Sequence, residues 1–187
     1  MTMARHQRRS GGAFGPLVRA FTLIEILVVV VILGIAAAIV VPAIGSRSDL
    51  KATSAARMIM ADLIYTQNRS ISQQKWHYVR FDKTAQSYEV LEQITPSAVL
   101  IKHPVEASNF VVKIGSGGAK PIQDVTFDTI TFDGKTVLAF DELGTPYSYD
   151  VATNTPTAMA AGKVTLACGT FKLTITIEPF SGELRLN

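Results

Sequence analysis

The chain has 187 residues, 48% of them hydrophobic and 18% charged, with a formal net charge of +3 and a sequence pI near 9.1. Four of the 18 Lys+Arg precede residue 21, where there is no acid, which leaves 14 against all 15 Asp+Glu in the remainder. The basic pI therefore belongs to the N-terminal stretch and gives no sign of a phosphate-binding surface, while the single cysteine, Cys168, excludes an intramolecular disulfide and reads as a buried, inert thiol.

Residues 1–20 are basic, rich in Gly and Ser and interrupted by Pro16, with no apolar periodicity that could pack against a core. They read as a processed leader. From Phe21 to Ile44 the only charge is Glu25, and Ile26 to Val41 is wholly apolar apart from Gly34. Roughly 20 such residues span a bilayer as a helix. Arg5, Arg8, Arg9 and Arg19 lie before the span and fewer positive charges, balanced by Asp49, follow it, so the N-terminus is expected on the cytoplasmic side. An ordinary secretory signal is the competitor. Its apolar region is shorter, and here no small-x-small cleavage site intervenes before a helical pattern resumes. Ala52, Ala55, Ala56, Ile59 and Leu63 recur at three- and four-residue steps, with Lys51, Arg57, Asp62 and Asn68 elsewhere on the wheel. The helix is thus expected to continue, bent near Pro42 and Gly45, as an amphipathic helix to about Gln73.

After Gln74 the texture changes to short segments rich in β-branched and aromatic residues, separated by Gly, Pro, Asn and Asp. The strand candidates are 76–81, 87–91, 110–114, 125–132, 136–140, 163–167, 171–177 and 183–186. Alternation of Phe171, Leu173, Ile175 and Ile177 with Lys172, Thr174 and Thr176 marks a sheet with one wet face. Residues 115–119 and 152–162 read as loops. The expected class is α+β, one long N-terminal helix packed on an antiparallel sheet. Its organisation is a leader over 1–20, a transmembrane helix over 21–44, an amphipathic helix over 45–74 and a β-rich head over 75–187; the roughly 140 residues left after leader and span are the size of one domain.

Catalytic chemistry has no candidate set. His6, His77 and His103 are isolated, with no helical His pair and no Cys partner, so neither a metal site nor a nucleophile and base is assigned. Ser54, Ser70 and Ser72 read as outward-facing helix positions without a base. Gly115-Ser116-Gly117-Gly118 lacks the Lys-Ser/Thr of a phosphate loop and reads as a turn. Asp124, Asp128 and Asp133 could be imagined as calcium ligands, but their alternation with Val125, Phe127 and Phe132 fits solvent-facing strand and turn positions. No cofactor is expected.

The most specific segment is Arg19-Ala20-Phe21-Thr22-Leu23-Ile24-Glu25, followed at once by the apolar run. A carboxylate at the edge of a span needs a reason. Cleavage before Phe21 would free an α-amino group, which a carboxylate in a neighbouring subunit's span neutralises when spans are bundled in low dielectric. This segment resembles the class III signal of type IV pilins and type II secretion pseudopilins. The resemblance covers Ala20 to Ile44 and implies that a prepilin peptidase cuts between Ala20 and Phe21 and N-methylates Phe21. It also implies that Glu25 guides assembly and that Gly34 and Pro42 are helix-loosening positions. Ala20 stands where the family usually has Gly. The remainder resembles the H-type minor pseudopilins and FimT-like minor pilins. The features that carry this are the amphipathic helix running into Trp76-His77-Tyr78-Val79-Arg80-Phe81-Asp82, then Ile130-Thr131-Phe132-Asp133, Phe140-Asp141-Glu142-Leu143-Gly144 and the closing pair Phe171 to Ile177 with Gly182-Glu183-Leu184-Arg185-Leu186.

The implied function is a minor pseudopilin of a type II secretion system, at or near the pseudopilus tip, anchored in the inner membrane with a periplasmic head. Its implied partners are prepilin peptidase, other pseudopilins or pilins, membrane lipid and secreted protein substrates. A FimT-like minor pilin of a type IV pilus is the alternative, and a membrane-anchored periplasmic enzyme a third reading that the missing site chemistry disfavours. Nucleic acid is not an expected ligand, because the tail from Glu178 holds only Arg185 against Glu178 and Glu183.

Overall fold

The computed structural model describes residues 21–45 and 48–187 of the chain, which divides into two units, one ending at Gly45 and one running from Ser46 to Asn187. In the first unit, helix α1 covers Leu23–Gly45, 23 residues in which Glu25 is the only charge. At about 1.5 Å per residue it is about 35 Å long. Helicity is unbroken through Gly34 and Pro42. The bend expected near Pro42 and Gly45 borders residues 46 and 47, which lie outside the described residues. Among the described residues, no helix is both long and apolar enough to cross a membrane. The described side chains of α1 stop at Ala38, so the apolar stretch over 21–44 is covered only in part.

The second unit opens with α2, Ser48–Gln73. The expected stripe of Ala52, Ala55, Ala56, Ile59 and Leu63 is buried, and Thr66 and Ser70 extend it by a further two turns. Both hydroxyls satisfy themselves on the preceding turn, Thr66 Oγ1 donating to the Asp62 carbonyl at 2.7 Å and Ser70 Oγ to that of Thr66 at 3.2 Å. A buried stripe can therefore end in polar residues without orphaned groups. The helix closes with Gln74 at φ 51° and the Lys75 N–H on the Ser70 carbonyl at 3.2 Å, a Schellman-type stop with Gln in the place Gly usually takes.

Eleven strands follow: β1 His77–Asp82, β2 Ser87–Gln93, β3 Val99–Leu100, β4 Val111–Lys113, β5 Val125–Phe132, β6 Val137–Phe140, β7 Pro146–Asp150, β8 Thr155–Ala158, β9 Gly162–Cys168, β10 Phe171–Ile177 and β11 Leu184–Leu186. They form two antiparallel sheets where the sequence suggested one. The larger runs β3-β2-β1-β6-β7-β8 with β4 also on β2, and the smaller runs β11-β10-β9-β5. Two further corrections concern β7 and β8. The segment Pro146–Asp150 was not among the expected strands, and the expected loop over 152–162 contains Thr155–Ala158. Pro156 is tolerated there because β8 pairs only with β7 and is an edge of its sheet. The expected turn at 115–119 leads into a short 3-10 helix, Gly117–Ile122.

One core lies between α2 and the inner faces of both sheets. From the larger sheet come Val79, Phe81, Val90, Leu138 and Phe140, and from the smaller Phe127, Phe132, Leu166, Ile175 and Ile177. A bulge in β5 between Phe127 and Thr129 keeps Val125, Phe127 and Phe132 buried together. Cys168 is buried in this core with no disulfide partner. One side chain ties the two sheets at the end of α2: Gln67 Nε2 donates to the Gly144 carbonyl at 2.9 Å and to the Ser181 carbonyl at 3.0 Å. Gly182 is needed beside it, at φ 68°, since a Cβ there would stand 2.5 Å from that nitrogen.

Candidate functional site

The N-terminal motif is built on the first turn of α1. Phe21 is exposed, and Ala20, on the other side of the expected cut, lies outside the described residues. Thr22 precedes the helix and its Oγ1 accepts the Glu25 backbone N–H at 3.2 Å, while Glu25 Oε2 reaches back to the Thr22 N–H at 3.5 Å. Thr22-Leu23-Ile24-Glu25 is thus a capping box, Ser/Thr-x-x-Glu, in which each side chain satisfies a backbone donor the helix leaves open. The sequence reading missed this local role, though the spacing carries its signature. Glu25 also places a negative charge at the positive end of the helix dipole. Gly34 lies in the exposed interior of α1, with open space around the position a Cβ would take, and Pro42 is helical near its end.

The head corrects the reading of one polar residue and shows the surroundings of a second. Ser70 is fully buried, not outward-facing, and His77 is fully buried beside it, with Ser70 Oγ 3.3 Å from His77 Nδ1. Arg69 Nε donates to His77 Nε2 at 3.2 Å, and His77 Nδ1 is 3.2 Å from the Lys75 carbonyl. The network assigns the proton to Nδ1, which leaves Nε2 to accept from Arg69 and gives a neutral imidazole. The pair has the atoms of a nucleophile and base but not their disposition. The Ser70 hydroxyl is spent on the Thr66 carbonyl, and no substrate could reach either buried group.

Burial lowers the His77 pKa, the Arg69 and Lys75 charges push the same way, and the Lys75 carbonyl and Glu92 act against them. Because the folded pKa lies below the unfolded value of about 6.5, the unfolded chain binds the extra proton, so stability is fully present above that value and falls as pH drops through it. Asp62, raised by burial against the hydrogen bond from the Tyr88 hydroxyl, acts in the opposite sense, in the carboxylate range. Thermal melts between about pH 7.5 and about pH 5.5 should show the midpoint falling toward acid, and less steeply in His77→Gln, which keeps hydrogen-bonding capacity without a titrating ring. Equal slopes would remove His77 as the source.

His103 lies in a turn, its Nδ1 accepting the N–H groups of Val105 and Glu106 at 3.2 Å each and its ring 4.5 Å from that of Phe110. The three aspartates do not converge. Asp124 pairs with Lys51, Asp128 with Lys172 at 2.8 Å, and Asp133 accepts the N–H groups of Ala160 and Ala161 at 2.8 and 2.9 Å. Among the described residues, no group of three or more His, Cys, Asp or Glu is placed to hold a metal ion. Arg185 is taken up by Glu183 at 3.3 Å and Glu178 at 3.7 Å. The feature that the sequence reading passed over is the outer face of the larger sheet, where Trp76 packs on Tyr147 and Tyr78 on Tyr149, each with ring centroids 5.0 Å apart.

Residues 17–41 match the prokaryotic N-terminal methylation motif. No curated protein matches the chain. A solved structure similar to this one is that of the minor pseudopilin EpsH from the type 2 secretion system of Vibrio cholerae. It is 12% identical with a TM-score of 0.49, and the match covers 73% of this chain and 96% of that one.

Proposed function

We propose that the chain is a minor pseudopilin-like structural subunit of the inner membrane and not an enzyme. The observation that carries this is the methylation motif over 17–41, with Phe21 and Glu25 in its first part and α1 opening at Leu23 between them. In this reading 1–20 is a leader removed by prepilin peptidase, 21–44 is the span, 45–74 is the amphipathic helix, and 75–187 is the periplasmic head. Glu25 guides assembly, and Gly34 and Pro42 loosen the helix within a bundle of such spans. A type II secretion pseudopilus is the preferred setting, with companion pseudopilins and secreted proteins as partners, and a FimT-like minor pilin is the second. Within the second reading, DNA handling through the C-terminal tail is disfavoured, since Arg185 already sits between two carboxylates.

Intact-mass measurement tests the premise. Protein taken from native membranes should begin at Phe21 and carry one added methyl group. A retained leader in assembled material would overturn the reading.

A further inference from the structure

The outer face of the larger sheet holds an open groove of about 410 Å³. Trp76, Tyr78 and Tyr149 line it, together with Glu92 and Asn154. Its rings are held by aromatic pairs: Trp76 packs on Tyr147, and Tyr78 stands edge-on to Tyr149. Asn154 Oδ1 accepts the hydroxyls of Thr95 and Tyr149, which turns the amide so that Nδ2 is left as its donor. Glu92 is exposed, and none of the lining residues is basic. Arg80, on the same face of the sheet, is committed to Glu89. Burial, then Tyr149 and the Glu142 carboxylate, raise the Tyr78 phenol above its usual value, so the ring stays neutral.

Aromatic faces attract cations through the ring quadrupole, and carboxylates add to that attraction. The charge of the groove is thus complementary to a cation and not to an anion. It is open, and it is larger than a single ammonium group needs, so the cation is presented on something longer. Asn154 Nδ2 is suited to a peptide carbonyl. We infer that this groove binds an extended peptide segment of another protein through a guanidinium or ammonium side chain of that segment. The inference is independent of the pilin-like reading, since it uses only the head.

Trp76 is the only tryptophan in the chain, so emission from the full-length protein in detergent reports the groove directly. The probe is the peptide acetyl-Gly-Arg-Arg-Gly-amide, with the same peptide carrying citrulline in place of arginine as a neutral control of equal shape. The expected result is a saturable change in Trp76 emission with the arginine peptide, with roughly tenfold weaker binding of the citrulline peptide and roughly fivefold weaker binding to Glu92→Gln. Binding should also weaken between about 0.1 M and about 1 M salt. Glu92 is exposed, so an unchanged melting temperature of Glu92→Gln shows that its loss of binding is local. Equal binding of the two peptides, tighter binding of choline or of a short oligosaccharide, or no response of Trp76 to the arginine peptide would each overturn the inference.

Discussion

Replacing Ile59 by Asp should abolish cooperative folding of the head. Ile59 is fully buried on α2, in the core shared by both sheets. Truncating such a side chain costs about 2–5 kcal/mol through lost transfer energy and the cavity left behind. A carboxylate in its place adds a desolvation cost of several kcal/mol, because Ile59 sits within a cluster of buried hydrophobic side chains. The sum is comparable to the roughly 5–15 kcal/mol that holds a domain of this size together. Leu63→Asp should behave alike, as Leu63 is 1% exposed one turn later on the same stripe. Ile64→Asp is the control, since Ile64 is 45% exposed on the same helix and its change should shift stability by about 0.5 kcal/mol or less. Thermal melts followed by circular dichroism distinguish these. A normal transition for Ile59→Asp would mean that α2 does not pack on the sheets in solution.

The stripe that makes this prediction sharp was legible because Ala and Ile repeat at helical spacing with charges between them. Its continuation through Thr66 and Ser70 was not, since a hydroxyl bonded to its own helix is invisible to a hydrophobicity count. The burial of the strand histidine His77 was equally hidden: its partners Arg69 and Ser70 come from the end of α2 and the Lys75 carbonyl from the turn between α2 and β1. Strands with long alternation, such as β5 and β10, were found at their full lengths. The missed ones, β3, β7 and β8, have two to five residues and depend on neighbours for pairing. Two sheets instead of one could not be read because pairing partners are set by tertiary packing and strand spacing does not encode them. The aromatic groove is likewise assembled from β1, β2, the turn after β2, β7 and the segment up to β8, none of which announces the others in sequence.

Glu25 should prove necessary for assembly even when its capping role is preserved. In the single chain its carboxylate caps α1 by reaching the Thr22 N–H, and Thr22 returns the bond to the Glu25 N–H. Gln serves nearly as well in that local role, because the capping box needs an acceptor and not a charge. Pairing with the freed Phe21 amine of a neighbouring subunit, in contrast, needs the charge. An ammonium left unpaired among packed spans costs several kcal/mol, more than the 1.4 kcal/mol or so that changes an equilibrium tenfold. Glu25→Gln and Glu25→Ala should therefore both be processed to Phe21 and inserted. Crosslinking of either to companion subunits in native membranes should fall to about a tenth of wild type or less. The two variants together separate the roles of the residue. If Glu25→Gln crosslinks like wild type while Glu25→Ala does not, the residue acts by capping α1. If both crosslink normally, the carboxylate has no part in assembly and the pairing mechanism is wrong.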